Sequence, residues 1–421
     1  MARQYFGTDG VRGVVGEDLT AELVERLGRA ATFWSGRGRI FVGRDTRASG
    51  VELEQALARG IASAGGNAVV AGVLPTPAVA LLTLDLGCVI TASHNPPEYN
   101  GVKFFDRDGQ KLTDAQEEEI EALLDRAPTG GGDVDEVGVA TDSYLEHVVE
   151  RFGSDLGGLR IGVDCANGAY AKLAPKAFEQ LGATVTAIGN EPDGSNINVG
   201  CGATDLRALQ QLVVSDGLDL GVAFDGDGDR MLAVDAAGSI VDGDQIVAVL
   251  ALHLGVPSVT VTPMTNLGFH ELMSQHEIET HVTDEVGDRY VLEEMRATGG
   301  KLGGEQSGHI IYLDGHVTGD GLVAALLLCG ALSGRALAEA ASVMPRHPQA
   351  KENVRVRSKA LSESLVQAVA AANADLSGRG RVLVRASGTE PVVRVLAEAR
   401  DGEEAARLCA SIAALVRREL G

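Results

Sequence analysis

Leu218-Asp219-Leu220-Gly221-Val222-Ala223-Phe224-Asp225-Gly226-Asp227-Gly228-Asp229-Arg230 is an apolar run that stops at three carboxylates set at alternate positions. A short apolar run closed by turn residues reads as a strand buried on both faces, the kind found in parallel sheets. Ligands of such sheets gather at the carboxyl ends of the strands, which is where this turn falls. The intervening glycines let the backbone curl until the three carboxylates converge, and unpaired they would repel strongly. A hard divalent cation resolves that conflict, and Mg²⁺ favours a few carboxylates plus a phosphate oxygen. Asp225, Asp227 and Asp229 are therefore candidate metal ligands, with Arg230 beside them. A calcium loop is the competing reading, but position twelve is Ala236 instead of the bidentate Glu, and no helix pair flanks the turn. A solvated acidic turn is the plainest alternative.

The same strand-then-loop grammar extends in both directions. Upstream, Thr20 is placed to cap a helix bearing Leu23, Leu27, Ala31 and Trp34 on one face. Strands are expected at 39–43, 67–73 and 87–92, and a second helix opens at Ser49. Around the aspartate turn, strands at 160–164, 184–188 and 218–224 alternate with helices at about 169–182 and 204–216. A third series places strands at 258–262, 279–282 and 302–311, followed by a long apolar helix after Asp320. Alternation of this kind implies crossover connections and mixed, mainly parallel sheets. The Gly- and Asp-rich stretch 128–140 reads as a surface connection. The last 70 or so residues change to a β-α-β-β-α order, an α+β module. The fold expected is α/β: three consecutive doubly wound mixed α/β domains at 1–150, 151–243 and 244–350, then a C-terminal α+β domain at 351–421, around a central cleft.

Composition bounds the function. Among 421 residues, 36 Lys+Arg face 59 Asp+Glu, a formal charge of −23 that argues against a general nucleic-acid binder. Only 4% of residues are aromatic, too few for base-stacking platforms. The cysteines number 5, lie far apart and form no CxxC pair, which favours a reducing compartment over a disulfide framework. No run of about 20 apolar residues is present, and the first residues lack a signal-peptide layout. A cytoplasmic protein with no membrane partner is expected.

Three further loops carry chemistry. Thr91-Ala92-Ser93-His94-Asn95-Pro96-Pro97 follows a strand, and its two prolines stop the segment continuing as strand or helix. That presents Ser93 on a stiff loop, as a nucleophile or phosphate carrier requires, with Lys103 able to return to the same mouth. A capped turn is the bland reading. If Gly303-Gly304-Glu305-Gln306-Ser307-Gly308-His309 is extended, Glu305, Ser307 and His309 share one face and suit a polyhydroxylated ligand, with His309 placed for proton transfer. An exposed edge strand is the alternative. Arg385-Ala386-Ser387-Gly388-Thr389-Glu390-Pro391, with Arg394 following, offers hydroxyls, backbone N–H groups and planar guanidinium forks for a phosphate, against the alternative of a plain β-turn.

Taken in order with Tyr5-Phe6-Gly7-Thr8-Asp9-Gly10-Val11-Arg12-Gly13, the motifs TASHNPPEYNGVKFF, DGDGDR, GEQSGH and RASGTEP run over essentially the whole chain. In these the sequence resembles the α-D-phosphohexomutase family. The resemblance implies a four-domain molecule whose cleft receives one loop from each domain. It implies a phosphoserine at Ser93, one Mg²⁺ on Ser93, Asp225, Asp227 and Asp229, and active-site cations Arg12, Lys103 and Arg230, with Lys103 as a general base. His94 is grouped with the catalytic residues and His309 is a candidate acid/base. Glu305 and Ser307 would read the sugar, and Arg385, Ser387, Gly388, Thr389 and Arg394 would bind the non-reacting phosphate. The implied reaction moves a phosphate between C6 and C1 of a hexose through a bisphosphate, primed by glucosamine or glucose 1,6-bisphosphate. FGTDGVRG and Gln306 resemble the family's glucosamine-acting members, with glucose- or mannose-acting members as the alternative. Family members are often homodimers. Tyr99 and Ala386 depart from the commoner family pattern without removing a catalytic group.

Overall fold

The computed structural model describes residues 4–7, 9–387 and 391–421. Four sheets follow one another along the chain. The first has seven strands in the order Phe6–Gly7, Gly10–Val14, Tyr99–Phe105, Leu86–Ile90, Arg39–Arg44, Asn67–Val73 and Val134–Glu136. Its last four run parallel, and the return strand Tyr99–Phe105 pairs antiparallel with Leu86–Ile90. The second sheet orders Ile240–Val241, Met231–Asp235, Leu220–Phe224, Arg160–Asp164 and Thr184–Ile188. The third orders Glu279–Val282, Ser258–Val261, Leu302–Gly304 and Ile310–Tyr312. The fourth is wholly antiparallel, with Val392–Ala399 between Gln349–Arg355 and Gly380–Ala386. This bears out the α/β class with its different C-terminal module.

Helices form where amphipathic spacing and caps predict them. Thr20 accepts the Leu23 N–H to cap Ala21–Trp34, whose Leu23, Val24, Leu27 and Ala31 are buried. Ser49 precedes Gly50–Ser63 without a side-chain cap, because its hydroxyl accepts instead from Asn100. Gly321–Leu332 is buried almost all round, the pattern of a helix enclosed between layers. Among the described residues no helix is long and apolar enough to cross a membrane. All five cysteines are buried and free.

Two expectations change. The single strand expected at 302–311 is a hairpin of Leu302–Gly304 and Ile310–Tyr312, reversed by a tight turn in which Gly308 has φ +90° and donates to the Glu305 carbonyl. The stretch 128–140 carries strand Val134–Glu136, because the open edge of Asn67–Val73 offers it backbone partners.

The chain forms two compact bodies, residues 1–264 with 278–343, and residues 265–277 with 344–421. The smaller therefore includes helix Leu267–Gln275, which precedes the rest of that body by almost 70 residues. Asn266 ties the helix in: its Nδ2 donates to the His347 carbonyl at 2.9 Å and its Oδ1 accepts the His347 N–H at 3.0 Å. The Leu267 N–H donates to the fully buried Glu398 carboxylate at 2.8 Å.

Candidate active site

Ser93 lies just beyond strand Leu86–Ile90, with its backbone in the left-handed region at φ +51°. Its N–H donates to Thr91 Oγ1 at 2.9 Å, and Thr91 in turn donates to the buried Asp45 at 2.7 Å. The Ser93 hydroxyl donates to Asp225 Oδ2 at 2.7 Å and lies 3.2 Å from His94 Nδ1. Burial, together with the nearby Arg230 and Arg12 guanidinium groups, pulls the His94 imidazole down to about 4, so it is neutral at pH 7.

The aspartate turn starts at the end of Leu220–Phe224. Asp225 Oδ1 accepts the N–H groups of Gly228 at 3.1 Å and Arg230 at 3.2 Å, which closes the curl. Gly228 has φ +80°, and a side chain there would overlap the Tyr170 ring. Asp227 accepts from Thr76 Oγ1 at 2.7 Å and from Lys103 Nζ at 3.2 Å, while its Oδ1 is buried without a hydrogen bond. One oxygen from each of Asp225, Asp227 and Asp229 falls within 4.8 Å of the others. Burial, then repulsion from Asp229 and Asp227, holds the Asp225 carboxyl well above the usual carboxylate range. Burial also pushes Asp229 upward, but His309, Lys103 and Arg230 outweigh it and the net is well below. An all-oxygen donor set with an orphaned, inward carboxylate oxygen and strong mutual repulsion fits a hard divalent cation.

Cations line the same place. Lys103 is 2% exposed and lies 3.2 Å from Asp227, 3.3 Å from Asp9 and 4.0 Å from Asp229. Burial lowers its pKa, yet Asp227 and Asp9 raise it more, so the ammonium stays charged. His309 places Nδ1 3.7 Å from Asp229 and Nε2 3.5 Å from Asp288. Burial opposes its protonation, but Asp288 and Asp229 win and the imidazole titrates above its ordinary value. Arg230 sits 3.8 Å from Asp229, and its backbone bridges that of His309, joining the aspartate turn to the 305–309 turn. Arg12 pairs with Asp9.

The turn geometry overturns the expectation that Glu305, Ser307 and His309 share a face of an extended segment. Glu305 and His309 are buried, whereas Ser307 is exposed, because the chain reverses between them. Burial raises the Glu305 pKa. Gln306 turns away to donate to Asp244 at 3.2 Å.

Several residues of this cluster escape sequence reading. Asp9 and Lys111 ion-pair at 3.0 Å, and Lys111 also pairs with Asp288, in a chain of alternating charge that ends at His309. Asp9 sits inside the quoted N-terminal motif, which was a usable signal. Lys111 and Asp288 lie in segments with no motif, as do Thr76 and Asn198. Arg47 and Asp45 follow a strand end, where they could have been sought.

In the smaller body, Arg385 and Arg394 face each other across the strand pair Gly380–Ala386 and Val392–Ala399. Arg394 Nη2 lies 3.4 Å from Ser387 Oγ, and Lys359 donates to the Ser387 carbonyl at 2.8 Å. Gly388 and Thr389 lie outside the described residues.

Four family models match successive segments, described as phosphoglucomutase/phosphomannomutase α/β/α domain I over residues 3–129, domain II over 142–238, domain III over 242–347 and C-terminal domain over 352–415. A phosphoglucosamine mutase of Moorella thermoacetica is 50% identical, covering 97% of this chain and 98% of that protein. Another from Thermobifida fusca is 51% identical, covering 99% of each. Among solved structures, a phosphoglucomutase/phosphomannomutase family protein from Burkholderia thailandensis superposes with a TM-score of 0.86 at 25% identity, covering 99% of this chain and 98% of that one. An Aspergillus fumigatus N-acetylphosphoglucosamine mutase, solved with GlcNAc-6P and magnesium, shares the fold with a TM-score of 0.71 at 18% identity, covering 99% and 96%. With every domain of the set matched in order and half the residues identical to full-length relatives, the chain belongs to the phosphoglucomutase/phosphomannomutase family of α-D-phosphohexomutases.

Proposed function

We propose that this chain interconverts glucosamine 6-phosphate and glucosamine 1-phosphate, using Ser93 as phosphoryl carrier and a 1,6-bisphosphate as intermediate. The observation that carries the reading is the buried Ser93 hydroxyl, 2.7 Å from a carboxylate of the aspartate cluster. The choice of amino sugar rests on the names of the relatives about 50% identical over nearly the whole chain. Mg²⁺, held by Asp225, Asp227, Asp229 and an oxygen on Ser93, would withdraw charge from the phosphoryl group when bound. Glucosamine or glucose 1,6-bisphosphate would prime the enzyme. The domain limits 1–150, 151–243, 244–350 and 351–421 belong to the same proposal, although residues 265–277 and 344–350 of the third group with the fourth in one compact body.

The chain's own groups supply the rest. Asp225 Oδ2 accepts the hydrogen bond of the Ser93 hydroxyl, takes its proton as the oxygen attacks, and gives it back when the phosphoryl group leaves Ser93. Lys103, Arg12 and Arg230 offset charge spread over the phosphoryl oxygens, the main demand of such transfers. A lysine held protonated by Asp227 and Asp9 acts by its charge, so the base role first considered for Lys103 is not retained. His309, protonated above the ordinary imidazole range, delivers a proton to the departing sugar oxygen when phosphate returns to Ser93, and receives one in the reverse step. Neutral His94 orients the serine hydroxyl. Glu305 accepts from sugar hydroxyls, Ser307 is assigned a subsidiary contact, and Arg385, Ser387, Gly388, Thr389 and Arg394 hold the idle phosphate.

Side-by-side turnover of glucosamine, glucose and mannose phosphates tests the assignment. Preference for glucosamine phosphate is expected, and a clear preference for glucose or mannose 1-phosphate would favour the phosphoglucomutase/phosphomannomutase reading that the family name carries. Two variants probe the parts. His309→Gln should lower kcat by roughly 10²-fold or more and remove the alkaline limb of the pH profile. That limb lies above about 6.5, because a raised imidazole keeps its proton there and loses it only as pH climbs through its folded value. An unaltered profile would dismiss the proton role. Arg385→Ala should mainly raise KM and release bisphosphate during turnover, by about tenfold, as one planar anion fork is lost. Unchanged KM with no release would count against it.

A further inference from the structure

A non-glycine residue in the left-handed region is strained and persists only where its surroundings over-determine it. Ser93 is such a residue, at φ +51°. The groups that hold it come from two different segments. Arg47 Nη2 donates to the Ser93 carbonyl at 2.9 Å and to the Asn95 carbonyl at 2.8 Å. Asn198 Nδ2 donates to the same two carbonyls, at 2.9 Å and 3.2 Å. Arg47 follows strand Arg39–Arg44, and Asn198 lies beyond strand Thr184–Ile188 of the second sheet.

Both donors are themselves fixed. The Arg47 side chain is fully buried; its Nε donates to Asp45 at 2.9 Å, and Nη1 donates to the Pro96 carbonyl. Asn198 is also left-handed, at φ +60°, with its N–H donating to the Ala166 carbonyl at 2.9 Å. The aspartate turn packs on the same spot. A Cβ at Gly226 would lie 2.7 Å from the Ser93 carbonyl oxygen and 2.8 Å from Asn198 Nδ2. The carbonyl of Ser93 is thus gripped while its hydroxyl, on the other arm of the residue, meets Asp225.

We propose that Arg47 and Asn198 are paired positioning residues for phosphoryl transfer: by holding the carbonyls of Ser93 and Asn95 from two sides, they set the left-handed backbone that aims the Ser93 hydroxyl at the aspartate turn. This rests on the reading of Ser93 as the phosphoryl carrier. Neither residue contacts the hydroxyl itself. In-line transfer is steep in geometry, and a misplacement of about 1 Å costs about 10²-fold. Lysine cannot replace Arg47, since a single ammonium cannot span several carbonyls and a carboxylate in one plane.

The test uses Asn198→Ala, Arg47→Lys and Arg47→Ala in the full chain. Three quantities are measured: steady-state kcat and KM, the single-turnover rate of Ser93 phosphorylation by glucose 1,6-bisphosphate, and the thermal midpoint. Asn198→Ala should lower kcat and the single-turnover rate together, by about tenfold or more, with KM within about twofold of wild type. Arg47→Lys should fall by about 10²-fold in both, and methylguanidinium should restore part of the activity of Arg47→Ala. Should the buried Arg47 variants fail to fold, Asn198→Ala, altered at a half-buried site, decides alone. Wild-type kcat with only a lowered thermal midpoint, or a raised KM at unchanged kcat, would overturn the proposal by showing a merely structural or substrate-binding role. A wild-type enzyme that takes no phosphoryl group on Ser93 would overturn the carrier reading, and the clamp with it, and is distinguished because it fails before any variant is compared.

Discussion

Ser93→Ala should turn over no detectable sugar phosphate, a loss of at least about 10⁴-fold, even with bisphosphate supplied as primer. The reason is chemical, because no neighbouring side chain can replace the lost oxygen. His94 is neutral but only half-buried and aimed at the serine, while Lys103 is held as an ammonium by Asp227 and Asp9. Alanine carries the same Cβ as serine, so the left-handed backbone at this position costs no more than before. The protein should therefore fold and keep its sugar-phosphate affinity while losing the phosphoryl group that intact mass and peptide mapping would locate on wild-type Ser93. Turnover within tenfold of wild type would end the carrier reading.

Asp225→Asn is the second large effect, and its sign on stability is opposite to its sign on activity. The Asp225 carboxyl titrates well above its unfolded value, through burial first and then Asp229 and Asp227. An acid raised in this way binds its proton more tightly folded than unfolded. Its contribution to stability is fully present at low pH and drains away as pH rises past about 3.9 toward the folded value. Without metal, the burial and the repulsion from Asp229 and Asp227 that raise this carboxyl are a liability that asparagine removes while keeping an oxygen for the Gly228 and Arg230 N–H groups. The metal-free variant should melt above the metal-free wild type. Saturating Mg²⁺ at about 100 Kd should stabilise wild type by about 2.7 kcal/mol and leave the variant unmoved, with activity down by about 10³-fold. A Mg²⁺-dependent melting shift in Asp225→Asn equal to that of wild type would show that the ion sits elsewhere.

The sequence made the strand ends legible because an apolar run that stops at Asp225 or Ser93 announces both the sheet and its working edge. The aspartate turn and the Ser93 loop were readable for the same reason: each is a short motif whose chemistry is local. What escaped was non-local. Lys111 and Asp288 are 177 residues apart and acquire meaning only by pairing with each other. The 305–309 turn was misread as extended because Gly308 permits either a strand or a reversal, and only the pairing of Leu302–Gly304 with Ile310–Tyr312 selects the second. Arg47 belongs to no quoted motif, and its burial depends on carbonyls contributed by the Ser93 loop.

Helix Leu267–Gln275 has a practical consequence for anyone dissecting the molecule. The chain passes between its two compact bodies three times, after residues 264, 277 and 343. A C-terminal fragment beginning near residue 344 would leave behind the segment whose Leu267 N–H donates to Glu398 and whose Asn266 accepts from the backbone of His347. Truncation at that boundary removes these hydrogen bonds, whereas joining 265–277 to the fragment through a short linker keeps every segment of the smaller body together.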